Sequence, residues 1–207
     1  GKEHVEFHRG HPAEKESHGI LLPSSLPRER LIEVCTQCHG NAIRHRGPAL
    51  SFRPGQNLDD HYRWVNPNYQ EDDHVANQIE YLRQSKCFSK SEMTCITCHD
   101  PHLTDQPVEG NNFQSNCSGC HQPDHCGKRA GLPVAVQGKC VECHMRKYVK
   151  INVNFDLADD SYVPPARRSQ HRIEVDHFAT QEVLLAWHRS QTTDNDVLQA
   201  KSIQEQL

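Results

Sequence analysis

The chain has 207 residues, enough for one or two domains, with only 35% hydrophobic and 6% aromatic residues, so an ordinary side-chain core is thin and something else must staple the fold. Its formal net charge of -4 argues against a nucleic-acid partner, which calls for a basic excess, and no apolar run approaches the roughly 18 residues of a membrane span. Ten cysteines and sixteen histidines point instead to metal or cofactor chemistry.

Residues 1–30 form a polar, His-rich arm whose start, Gly1-Lys2-Glu3-His4, lacks the apolar region of a secretion signal. If exported, this is therefore a mature or partial chain. Pro27, just before Arg28–Val34, suits the start of a short helix leading into Cys35-Thr36-Gln37-Cys38-His39. Residues 40–71 contain the turn signals Gly47-Pro48 and Pro54-Gly55 and read as a loop without regular structure. Asp72 and Asp73 offer a helix N-cap, and Val75, Ile79 and Leu82 follow at helical spacing, predicting a helix to about Ser85 with His74 in its first turn.

Three further segments repeat the first pattern: Cys95-Ile96-Thr97-Cys98-His99, Cys117-Ser118-Gly119-Cys120-His121 and Cys140-Val141-Glu142-Cys143-His144. C-x-x-C-H is the attachment signature of c-type haem: two thiols add to the two vinyl groups of one porphyrin, and the following His reaches its iron as proximal ligand. Zinc binding and a dithiol redox site also use C-x-x-C, but a His directly after every pair is not their usual arrangement. Cys35, Cys38, Cys95, Cys98, Cys117, Cys120, Cys140 and Cys143 are thus expected to anchor four haems c, with His39, His99, His121 and His144 as proximal ligands. The last three motifs follow so closely that their haems must pack against one another. Twelve histidines remain for four sixth positions, and Met145 directly follows a proximal His, so bis-histidine ligation is the economical reading. It implies lower potentials than Met/His ligation.

Residues 150–170 look extended, with a weak signal for a strand pair. An amphipathic helix is expected over 174–189 through Val175, Phe178, Leu184 and Trp187, and a second over 194–207. Cys87 and Cys126 are left over; a disulfide between them and two free thiols both remain open.

Thr94-Cys95-Ile96-Thr97-Cys98-His99-Asp100-Pro101-His102 resembles the TCxxCHDPH element of doubled-CxxCH multihaem cytochromes. Ser17–Pro23, Asp73–Gln78, Cys143-His144-Met145 and Gln170–Ile173 resemble the haem region of planctomycete-type multihaem proteins, which often carry tetratricopeptide repeats downstream. The resemblance covers nearly the whole chain. It implies His102, His74 and His171 as distal ligands, His102 serving a haem other than that of His99. Gly1-Lys2-Glu3-His4-Val5 is similar to the tail of a CHGPGxxHV element, which implies His4 as a fourth distal ligand, with His18 as its substitute, and further chain upstream carrying another haem. The stretch Asp194–Leu207 is similarly implied to begin a helical repeat region.

The expected fold is mainly irregular coil with short α-helices packed around four covalent haems and little or no β-sheet. It divides into the arm 1–30, a tetrahaem domain 31–173 and a C-terminal helical segment 174–207. The expected function is electron transfer, without catalysis, in the periplasm or outside the cell. Four ferric bis-histidine haems, each about -1 with its propionates, take the net charge from -4 to about -8, which favours basic redox-protein partners. A sub-reading is a homopolymeric filament in which the arm donates a His to a neighbouring copy. The alternatives are a multihaem redox enzyme of nitrite or hydroxylamine type, which needs an open iron position, an electron-transfer fragment of a larger multihaem protein, and a module in which haem serves only as core.

Overall fold

The computed structural model describes residues 1–40, 43–64, 77–101, 113–148 and 168–207. Helix and coil dominate, with two small two-stranded sheets, in line with the expected class. Helix α1 (Lys2–Gly10) forms within the arm and buries no residue. Glu3 in its first turn and the Lys2–Glu6 pair support it from its own surface. The loop behind it returns through Gly19, whose φ of 69° suits glycine and whose Cβ position would lie 3.0 Å from the His4 amide nitrogen.

Helix α2 (Arg28–His39) starts after Pro27 as expected and continues through the whole first motif. It buries Leu31, Ile32 and Thr36. It ends at Gly40, where a Cβ would come within 2.6 Å of Thr36. The expected loop 40–71 is in part ordered. Strand β1 (Ile43–His45) pairs antiparallel with β2 (Tyr62–Trp64), and the short helix α3 (Leu58–His61) precedes β2. Three-residue strands are too short to give an alternation signal; Phe52, Leu58 and Tyr62 close this hairpin into its own small cluster.

The Asp72/Asp73 cap and Val75 lie outside the described residues. Helix α4 (Gln78–Arg83) occupies the end of the predicted helix, with Ile79 and Leu82 buried as its spacing requires. Helix α5 (Lys86–Ser89) follows, and Ile32, Ile79, Leu82 and Phe88 form a core cluster. Arg28 ties it together: its guanidinium donates to the carbonyls of Phe88 (2.7 Å) and Met93 (3.1 Å) and covers the Phe88 ring at 4.1 Å.

Helix α6 (Phe113–Ser118) leads into the third motif, which continues past its end, and α7 (Cys140–His144) is the fourth motif. Of the suspected extended stretch 150–170, residues 150–167 lie outside the described residues. At its edges β3 (Lys147–Tyr148) pairs antiparallel with β4 (Arg168–Ser169). Helix α8 (His177–Arg189) starts later than expected, because the Asp176 carboxylate caps it by accepting from the Ala179 amide. Val175 therefore lies before the helix, 68% exposed, and Ala179 and Leu185 are the buried residues of α8. Helix α9 (Asp194–Gln206) matches the second expected helix and packs on α8 through Ala200 and Ile203 against Leu185. Among the described residues no helix is long and apolar enough to cross a membrane.

Candidate haem-attachment sites

Each C-x-x-C-H segment winds into about one helical turn. In the second and third, the His99 and His121 amides donate to the carbonyls of Cys95 and Cys117, both at 2.9 Å. The first completes α2 and the fourth constitutes α7. A helical turn puts residues i, i+3 and i+4 on one side. Two thiols and one imidazole therefore face the same space in every motif, the disposition that one porphyrin needs.

Among the described residues from 95 to 144, only Val136 and Cys143 are buried hydrophobics, far too few to hold nearly forty residues in one conformation. The chain has a side-chain core around α2, α4 and α5, and another between α8 and α9. Cys95 of the second motif packs against the first of these cores, and α7 lies against α8.

The four sites follow one another in space as they do along the chain. The Cys95 thiol donates to the Cys35 sulfur, which draws Cys35 down to about 7 and pushes Cys95 up. Asn116, in the third segment, donates to the Cys98 carbonyl at 3.4 Å. Gln114 accepts from the Val141 amide at 3.1 Å and donates to the Glu142 carboxylate at 2.7 Å, joining α6 to α7. Burial pushes Cys117 up to about 11, with Cys140, Cys98 and Cys87 nearby adding to the shift, and also raises Cys98 and Cys143. All ten cysteines are free. Cys87 lies near Cys98 and Cys117, whereas Cys126 lies near Cys143.

The histidines divide by tautomer. An imidazole whose Nδ1 faces an acceptor must carry its proton there, leaving the Nε2 lone pair for a metal. His144 Nδ1 donates to the Glu174 carbonyl (2.8 Å), His4 Nδ1 to the His18 carbonyl (2.8 Å) and His171 Nδ1 to the Gln78 side-chain oxygen (2.7 Å). His4 and His18, offered as alternatives from the sequence, thus work together: the first presents the ring and the second orients it. The His18 ring itself stacks on Phe7 at 3.9 Å. His125 is the opposite case. Its Nδ1 accepts from the Gln122 amide, which puts the proton on Nε2 and leaves no lone pair there to bind iron.

His171 is the most developed site. Its ring centroid lies 5.8 Å from that of His99, with the planes inclined by 29°. Two metal–nitrogen bonds of about 2.0–2.1 Å each, plus the half-widths of both rings, put trans imidazoles on one metal roughly 6 Å apart. Burial, followed by the neighbouring His99 and His39, lowers His171 to about 4. Atoms crowding the otherwise exposed His99 ring, followed by His39, lower that residue as well. Both rings are thereby held neutral, the ligating form. Ser85, only 1% exposed, brackets the His171 backbone: its hydroxyl donates to the His171 carbonyl (3.0 Å) and accepts from the Ile173 amide (2.8 Å). His74 and His102 lie outside the described residues. Among the described residues no three His, Cys, Asp or Glu side chains converge as a metal-ion site; a haem iron draws only two ligands from the protein.

Ser85 and Glu174 carry no motif of their own, Gln78 only closes the Asp73–Gln78 stretch of the resemblance, and Gln78 and Ser85 lie 93 and 86 residues from His171. No short-range pattern could have found them. Comparison with protein families, curated proteins and solved structures finds no match to this chain.

Proposed function

We propose that this chain is a tetrahaem c-type cytochrome that relays electrons through closely spaced bis-histidine haems, periplasmic or extracellular, with its helices packed around the porphyrins. The observation that carries the reading is the coincidence of four C-x-x-C-H turns with a near-absence of side-chain core around the last three. Covalent porphyrin supplies both the missing apolar surface and a reversible one-electron couple.

The residues divide the work. The eight motif cysteines would fix each ring at two points. His39, His99, His121 and His144 would hold the irons from the proximal side, and His171 would close the second iron from the other. The Glu174 carbonyl fixes the tautomer of His144 and Gln78 that of His171. The Asn116 and Gln114 contacts keep the last three sites beside one another. A holoprotein charge of about -8, from -4 and four haems at -1, suits docking to basic redox proteins.

Spectroelectrochemical titration of the haem-loaded protein tests this. The account expects low-spin spectra throughout, reversible uptake of one electron per haem, and no binding of nitrite, hydroxylamine or cyanide to the ferric protein. A high-spin haem that binds and turns over nitrite or hydroxylamine would establish the enzyme reading in its place.

A further inference from the structure

The His171 ring is held by a polar side chain from a distant helix. Gln78 is the first residue of α4, and its side-chain oxygen accepts from His171 Nδ1 at 2.7 Å. Ser85, just beyond the same helix, clamps the backbone at the His171 carbonyl and the Ile173 amide that follows it. The ring thus has its proton position set by one end of α4 and its main-chain position set by the other, while its centroid lies 5.8 Å from that of His99. Two other candidate ligands whose Nδ1 faces an acceptor, His4 and His144, lean on backbone carbonyls. Among these three, His171 alone is oriented by a side chain, and only a side chain can be exchanged for a stronger or weaker acceptor without altering the backbone.

The geometry points to Gln78 as a positioning residue that sets the reduction potential of the second haem. An acceptor on Nδ1–H draws the proton away from the ring and raises the basicity of Nε2. A more basic axial nitrogen stabilises ferric iron over ferrous and lowers the potential. The neutral amide of Gln78 gives an intermediate setting: removing the acceptor raises the potential, and a carboxylate in its place lowers it. The effect belongs to one haem of the four, which gives the relay one separately adjustable step. This rests on the tetrahaem reading.

The test uses the full haem-loaded chain, with Gln78→Leu and Gln78→Glu beside the unsubstituted protein. Intact mass first counts the haems. A wild-type chain without four would defeat the tetrahaem reading itself, separately from the role of Gln78. With four in place, potentiometric titration followed by low-temperature electron paramagnetic resonance resolves the individual haems. The expected result is one potential displaced upward in Gln78→Leu and the same one displaced downward in Gln78→Glu, with a matching change in one low-spin signal. If Gln78→Leu does not fold, Gln78→Glu, which keeps the length and the acceptor, still gives the downward shift. Unchanged potentials in the folded variants, or displacement in the same direction in both, would overturn the assignment.

Discussion

Ser85 offers the sharpest test of how the second site is assembled. Its hydroxyl is buried and makes two hydrogen bonds, to the His171 carbonyl and from the Ile173 amide. In Ser85→Ala both backbone groups lose that partner, and water has no ready access at 1% exposure. Each buried group left unsatisfied costs about 1–3 kcal/mol, and the pair together about 2–6 kcal/mol. For a chain of this size that lowers the melting temperature by roughly 4–24 °C. Thermal melting of the haem-loaded protein, followed by far-ultraviolet circular dichroism, measures it. The same loosening frees the segment that carries His171, so a fraction of one haem should turn high-spin at room temperature. A variant melting within about 1 °C of the parent, with an unchanged spectrum, would refute the bracket as the support of His171.

Three further outcomes follow from the same physics. Cys98→Ala removes a thioether from the segment with least protein core, and limited proteolysis should show the 95–144 region losing protection; a folded three-haem product would contradict this. The low-spin spectrum should survive dilution to monomer concentrations, because His4 is already oriented by His18 of its own chain; high-spin character appearing on dilution would instead place a donor His on a neighbouring copy, as in a filament. The Thr193 hydroxyl, and then the His188 ring, hold the Asp196 carboxyl below its ordinary value near 4. The folded form thus favours the ionised state, so this contribution is present above about pH 4 and is lost as pH falls through the native value. Hydrogen exchange in α8 and α9 should accelerate over that acidic range in the parent, whereas Asp196→Asn should exchange faster already at pH 7 and show a weaker acid dependence.

The helices around the first motif and at the C-terminus were legible because their signals are local. Pro27, the spacing of Ile79 and Leu82, and the acidic start at Asp194 each act within one or two turns. The hairpin of Ile43–His45 with Tyr62–Trp64 was not, since three-residue strands are fixed by a cluster of Phe52, Leu58 and Tyr62 rather than by alternation. Val175 fell outside its expected helix because Asp176 accepts the capping bond. The motif cysteines and histidines announce themselves through fixed spacing. Partners such as Gln78 and Ser85 meet His171 only once the chain has folded, and no local pattern pairs either of them with it. Tautomer was equally hidden: His125 and His171 look alike in one dimension and differ in what faces Nδ1.

The most direct test of the central claim is the intact mass of the protein matured with c-type haem-attachment machinery. Four C-x-x-C-H turns predict the apoprotein mass plus four haem masses, retained after acid–acetone extraction. A colourless product, or one heavier by any other amount, would contradict the account.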